Sequence, residues 1–122
     1  MNFNKCHLNI REDFYDDFDI KMLLKQFRQS GIKEGMVIFF KLLIKAGNDS
    51  DSSEDDDLCL MHLYQKISFI EELALYIDEE NKNMQAVVDI LLDLGFLEKK
   101  AEDKYIFYLP GGISVGMRSV TM

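Results

Sequence analysis

The sequence predicts an α+β fold, mostly helical, in which a helix-turn-helix is followed by a β-hairpin. Three observations support this prediction. Four stretches carry apolar residues in helical patterns. A capping box at Ser68–Glu71 and a polar break at Asp78–Asn81 place two of these helices on either side of a short turn. Two β-prone runs around a charged turn come next. The order helix, helix, strand, helix, helix, hairpin is that of a winged helix-turn-helix.

The first helix is expected from Phe18 to Gln29, after a short strand or extended arm at Cys6–Arg11. Asp16 or Asp17 can cap its start. Gly31 suits the left-handed position that follows a helix. The apolar residues of this helix have i, i+3, i+4, i+7 spacing and therefore form one buried stripe: Ile20, Leu23, Leu24 and Phe27.

The second helix is expected from Lys33 to Ala46, ended by Gly47 and Asn48. It is apolar on most sides, which is typical of a central helix. An acidic loop is then expected at 48–57, where Asp49–Asp57 carries six acids and no base, most of the net charge of −8. The loop has no apolar residue to bury. It lacks the central glycine and final glutamate of a calcium loop, so no metal site is expected there.

The third helix is expected to have Ser68 of the capping box as its cap and to run to about Ile77. It follows a short apolar run, Leu58–Leu63, that is compatible with a strand. The fourth helix, the recognition helix of the winged-helix plan, is expected over Lys82–Leu94 and ends at Gly95.

The hairpin is expected to consist of strands Phe96–Lys99 and Lys104–Leu109 around a turn at 100–103. The winged-helix domain therefore spans 1–110 in this interpretation. Residues 111–122 show no usable periodicity and are expected to be a C-terminal tail.

The composition excludes several classes of protein. A chain of 122 residues suits one domain. Cys6 and Cys59 have no CxxC spacing, which argues against a disulfide scaffold and a zinc site. No apolar stretch approaches the roughly 20 residues that span a bilayer, and the N-terminus does not resemble a signal peptide. No P-loop or nucleophile elbow is present. We therefore expect a cytoplasmic protein without catalysis, cofactor, small-molecule substrate or membrane contact.

Three segments resemble the phage replisome organiser N-terminal domain, a DnaD-like winged helix: Leu8–Lys21 with its Phe-Tyr-Asp-Asp, Phe39–Gly47, and Val87–Glu98 with its Leu-Gly-Phe-Leu-Glu. The resemblance covers residues 6–109. It implies a role in replication initiation in a bacterial host cell, in which such proteins bind origin DNA, self-associate and help to load the replicative helicase. Family members usually carry a further C-terminal region, and the acidic loop here is unusually charged.

The candidate DNA contacts lie on the recognition helix and on the hairpin, or wing. Polar groups at the start of a recognition helix can reach base edges or phosphates, and lysines near a hairpin tip can hold the phosphate backbone. Neighbouring acids oppose both roles, so ordinary solvated surfaces remain the alternative. The candidates are Lys82, Asn83 and Gln85 on the helix and Lys99, Lys100 and Lys104 on the wing.

Two tyrosines are candidate interface residues: Tyr15 of the aromatic pair Phe14-Tyr15, and Tyr108 of the hairpin. One face of an edge hairpin is often left for a partner. Phe14 and Phe107 are expected in the core. The apolar residues of the tail, namely Ile113, Val115, Met117 and Val120, are further candidates for a self-association surface.

Two functions follow from these patterns. The first is a phage-type replication-initiation domain whose partners are duplex DNA, replication proteins and further copies of itself in a homo-oligomer. The alternative is a protein-interaction or oligomerisation module on a winged helix, without direct DNA binding. The acidity outside the loop and the acidic turn before the recognition helix favour the alternative, because phosphate binding needs local positive charge.

Overall fold

Four helices and two small antiparallel sheets occupy the part of the chain that the computed structural model describes, residues 2–50 and 58–121. For residues 2–6, 50 and 116–121 only the backbone is described. The elements in chain order are β1 (Asn2–Ile10), a 3-10 turn (Phe14–Asp16), α1 (Phe18–Gln29), α2 (Gly35–Ser50), β2 (Cys59–Met61), α3 (Phe69–Ile77), α4 (Asn81–Asp93), β3 (Leu97–Ala101), β4 (Lys104–Phe107) and β5 (Ile113–Thr121).

Helices α1 and α3 have the predicted bounds, because each start is fixed by a local cap. The Asp17 carboxylate accepts hydrogen bonds from the amides of Asp19 and Ile20, at 2.9 and 3.4 Å. The Ser68 hydroxyl accepts one from the amide of Glu71 at 3.1 Å. Gly31 has the expected positive φ of 73° beyond the end of α1.

Helix α2 does not end at Gly47 and Asn48 as predicted but continues to Ser50. Its last turn is held from outside, because the Asp49 carboxylate accepts a hydrogen bond from the amide of Met61 in β2 at 3.0 Å. Tertiary contacts therefore override the weak helix propensity of glycine. The first three residues of the expected acidic loop are helical, and its remainder, 51–57, lies outside the described residues.

The order after α2 is strand, two helices and hairpin, with the three strands arranged β2-β4-β3. Strand β2 pairs with β4, with Cys59 opposite Ile106 and Met61 opposite Lys104. Strand β3 runs to Ala101, so the turn of the hairpin is shorter than predicted. Between α3 and α4, Asp78 takes a left-handed conformation with φ 63° and ends α3.

Residues 113–121 form a strand, although the sequence there shows no usable periodicity and predicts only a C-terminal tail. Strand β5 pairs with β1 along its whole length, and Ile10 faces Ile113 in the register. Ile113 is 7% exposed, so it belongs to the core and not to a free self-association surface. The side chains of Met117 and Val120 lie outside those that the structure describes.

The core is centred on α2, as its apolar composition predicts. Phe39 is fully buried and makes edge-to-face contacts with Phe96 and Phe107, with ring centroids 5.6 and 6.2 Å apart. Phe40, the neighbour of Phe39 on α2, packs against Phe14 of the 3-10 turn. The predicted burial of Phe14 and Phe107 is confirmed. No helix within the described ranges is long and apolar enough to cross a membrane.

Candidate functional site

The predicted contact residues lie on two consecutive elements that pack together, α4 and the β3–β4 hairpin. Lys82, Asn83 and Gln85 lie within the first part of α4, and Lys99 and Lys100 lie on β3. Lys104 begins β4, where it is half-buried and faces Ala101 across the hairpin. The fold therefore places all six candidates on adjacent elements.

Acidic neighbours engage both amide side chains of α4. Asn83 Nδ2 donates to Glu79 Oε1 at 2.9 Å, and Gln85 Nε2 donates to Asp89 Oδ1 at 2.9 Å. The hydrogen bond from Asn83, followed by one from the Glu80 amide, lowers the pKa of Glu79. Glu79 is therefore held in its charged form at the end of the helix where phosphate would have to approach.

The outer face of α4 carries more negative than positive charge. Lys82, Asp89 and Asp93 are all exposed. At about 100° per residue, both aspartates point within about 20° of the direction of Lys82. This face therefore presents one cation and two carboxylates, which disfavours phosphate beyond the first turn of the helix.

Two of the candidate lysines of the hairpin form ion pairs within the hairpin itself. Lys99 Nζ lies 3.3 Å from Glu102 Oε2, and Lys100 Nζ lies 2.8 Å from Glu98 Oε1. These groups are largely exposed, and ion pairs of this kind contribute about 0–1 kcal/mol, so a phosphate can displace them at little cost.

Glu98 links two residues that the sequence assigns to different surfaces. Its carboxylate pairs with Lys100 and also accepts a hydrogen bond from the Tyr108 hydroxyl at 3.0 Å. The bond with Lys100, then that with Tyr108, lowers the pKa of Glu98. The candidate DNA contact Lys100 and the candidate interface residue Tyr108 are thus both bound to one carboxylate.

Both candidate interface tyrosines are about half exposed, Tyr15 at 50% and Tyr108 at 47%. Tyr15 lies in the 3-10 turn with its ring edge-to-face on Phe14 at 5.1 Å. Tyr108 follows β4, and its amide donates to the Phe96 carbonyl at 2.8 Å. The backbone of both residues is fixed, and each ring has an exposed part that a partner can contact.

A buried group of charges at the junction of α2, β2 and α3 is absent from the sequence prediction. Lys45 is 2% exposed, and its ammonium contacts the Asp49 carboxylate, Glu72 Oε2 at 3.8 Å and the Met61 carbonyl at 3.3 Å. Glu72 in turn accepts hydrogen bonds from the amides of Leu63 and Tyr64. Each charge has a partner, so the group has a structural role. We call Lys45, Asp49 and Glu72 the buried clamp. Only the i, i+4 spacing of Lys45 and Asp49 signals it in sequence.

Side chains typical of catalytic and metal sites have structural roles here. His62 Nε2 contacts the carbonyls of Tyr64 and Ile67, each at 2.8 Å, and its ring stacks on Phe69 at 5.1 Å. Among the described side chains, those of residues 7–49 and 58–115, no three from His, Cys, Asp or Glu are placed to hold a metal ion. A cleft of about 490 Å³ between α1 and α2 is bordered by apolar residues that include Leu24, Met36 and Val37.

Residues 7–109 match a family model described as the N-terminal phage replisome organiser. The matched range runs from within β1 to just beyond β4 and includes α4 and the hairpin. No curated protein and no solved structure shows significant similarity to the chain.

Proposed function

Because the chain belongs to the N-terminal phage replisome organiser family, we propose that it binds duplex DNA, and further copies of itself, during the initiation of DNA replication. The family itself supports the role in replication initiation and the association with replication proteins. Direct DNA binding and self-association are the parts that we propose. This role is one of binding without catalysis or cofactor, in the cytoplasm of the bacterial host.

The order of the elements supports a winged-helix arrangement within this proposal. Helices α3 and α4 follow each other across a short turn and lead into the β3–β4 hairpin. The short strand β2 precedes α3 and pairs with β4, which gives the sheet order β2-β4-β3. In this arrangement α4 is the recognition helix and the hairpin is the wing. Together with the family match, this order is the observation that carries the DNA-binding proposal.

Within this arrangement, we assign DNA contacts to the residues that the sequence singles out. Lys82, Asn83 and Gln85 would meet bases or phosphates at the start of α4, and Lys99, Lys100 and Lys104 would meet phosphates along the wing. The exposure of the two ion pairs of the wing supports this assignment, since their lysines can exchange a carboxylate for a phosphate.

Fluorescence anisotropy with labelled duplex DNA tests the proposal. Affinity measured at about 50 mM and about 200 mM salt should fall steeply as salt rises, because phosphate contacts release counterions from the DNA. The absence of any binding at low salt would contradict DNA binding. Origin-like and unrelated duplexes of equal length then separate base-specific from general binding.

A protein-interaction module is the second candidate function, and the exposed apolar residues of α3 favour it. Leu75 is 73% exposed and Tyr76 54% exposed on this helix. A neighbouring loop, held to α3 through Glu72, adds Leu63 and Tyr64 at 63% and 67%. Light scattering over a range of protein concentrations tests self-association, and a strict monomer throughout would contradict a homo-oligomer.

A further inference from the structure

The outer face of α1 carries the most uniform positive charge among the described helices. Lys21, Lys25 and Arg28 are all exposed and are spaced i, i+4, i+7. At about 100° per residue, their directions fall within about 60° of one another. We call these three residues the α1 cation stripe. The buried residues of the helix, such as Leu23 and Phe27, hold its opposite face against the core.

No acid opposes the α1 cation stripe on its own helix. Asp19 is the one acid between Phe18 and Gln29, and it points at least about 120° away from each of the three cations. Within the described parts of the chain, none of the three makes an ion pair of 4.0 Å or less. Their charge is therefore available to a partner.

The contrast with α4 and the wing is sharp. On α4, Lys82 shares its face with Asp89 and Asp93. On the wing, Lys99 and Lys100 are each paired with a glutamate. A polyanion that approaches these surfaces must displace nearby carboxylates, whereas on the outer face of α1 no acid of that helix lies beside the three cations.

We infer that the α1 cation stripe binds the phosphate backbone of duplex DNA and supplies most of the electrostatic contact. This inference rests on the proposed DNA binding and names a different surface for it. Seven residues of helix advance about 10 Å along the axis, and duplex DNA has one phosphate per about 3.4 Å of axis on each strand. Three cations along this length therefore match a short run of phosphates. Arg28 can also form a bidentate contact with one phosphate.

A matched set of charge-neutralising variants tests this assignment. The first variant is Lys21→Gln, Lys25→Gln, Arg28→Gln. The second neutralises the competing surface with Lys82→Gln, Lys99→Gln, Lys100→Gln. The control, Arg11→Gln, Lys41→Gln, Lys66→Gln, makes the same change in net charge at exposed cations elsewhere. All the substituted residues are exposed, so we expect each variant to keep a thermal midpoint close to that of the wild type.

We expect the α1 variant to lose at least about tenfold in affinity for duplex DNA at about 50 mM salt. The slope of log K against log salt should become shallower by about 2.7, since each phosphate contact contributes about 0.9. The control should keep the wild-type slope, and the second variant should lose less than the α1 variant. Shifts of the α1 amide signals on addition of DNA would place the contact directly.

Other outcomes separate a failure of this inference from a failure of the proposed function. If the wild-type protein binds no DNA, the proposed function fails. If the wild type binds and the second variant alone loses affinity, DNA binding stands and the α1 assignment is overturned. Equal losses in all three variants would reflect net charge alone and also overturn it. Binding of the wild type to poly-glutamate that is tighter than to DNA and depends on the α1 cation stripe would assign that surface to an acidic protein instead.

Discussion

Lys45 Nζ lies 3.8 Å from Glu72 Oε2 in the interior of the protein, and this pair joins α2 to α3. The Asp49 carboxylate completes the group and also binds the amide of Met61. The three charges thereby tie the end of α2 to β2 and to the start of α3. Removal of the single cation would leave two carboxylates in a site with little access to water.

Lys45→Met should lower the free energy of unfolding by about 3–5 kcal/mol, because it leaves Asp49 and Glu72 buried without their cation. Urea denaturation measures this change. Lys41→Met is the matched control, since Lys41 is exposed on the same helix and its replacement should change stability by no more than about 0.5 kcal/mol. Equal effects of the two substitutions would show that the buried clamp contributes nothing to the free energy of unfolding.

Gly35→Ala should destabilise the protein by about 1–3 kcal/mol, as overpacking does. A Cβ at this position would overlap the buried Phe27 ring, so the ring or the helices around it would have to shift. The double variant Gly35→Ala, Phe27→Leu should be more stable than the sum of its single effects predicts, because the smaller side chain makes room. Additive effects in thermal or urea unfolding would contradict this cause.

Glu98 should titrate below the ordinary value of a glutamate, because Lys100 and Tyr108 bind its charged form. A lowered pKa in the folded state adds stability above the ordinary pKa and loses it as pH falls through the lowered one. In Lys100→Gln, the pKa of Glu98 should rise toward its ordinary value. Carbon-13 NMR of the side-chain carboxyl measures both values, and an unchanged pKa in the variant would rule out Lys100 as the main cause.

Neutralising the acidic segment should strengthen DNA binding at low salt. The variant replaces Asp51, Glu54, Asp55, Asp56 and Asp57 by serine or asparagine and keeps Asp49, whose carboxylate belongs to the buried clamp. Less negative charge reduces the repulsion of phosphate. The gain should shrink as salt rises, because the screening length falls from about 10 Å at 0.1 M to about 3 Å at 1 M. A gain that does not depend on salt would contradict electrostatic repulsion as the cause.

Elements fixed by local chemistry are predictable from this sequence. The bounds of α1 and α3 follow from the caps Asp17 and Ser68, which act within three residues of themselves. The end of α2 is not predictable in this way, because its last turn depends on a bond from Met61, across the acidic segment. Strand β5 escapes prediction for the same reason, since its partner β1 lies at the opposite end of the chain.

The candidate site shows a similar division. The exposure of Lys82 follows from helix periodicity. Lys99 and Lys100 are adjacent on β3 and both exposed, although strand alternation places neighbours on opposite faces. The pairing of Glu98 with both Lys100 and Tyr108 depends on hairpin geometry, which periodicity does not specify. The α1 cation stripe can be read from its spacing in the sequence. The winged-helix plan, however, directs attention to α4 and the hairpin.

The pairing of β1 with β5 has a consequence for the order of folding. Ile10 and Ile113 face each other across about 100 residues of chain, so their pairing requires the closure of a very long loop. Contacts within α1–α2 and α3–α4 are far more local and form at lower entropic cost. We therefore expect the two-stranded sheet of β1 and β5 to form last and to open first. Its amides should exchange with deuterium before those of α2, and the opposite order would contradict this sequence of events.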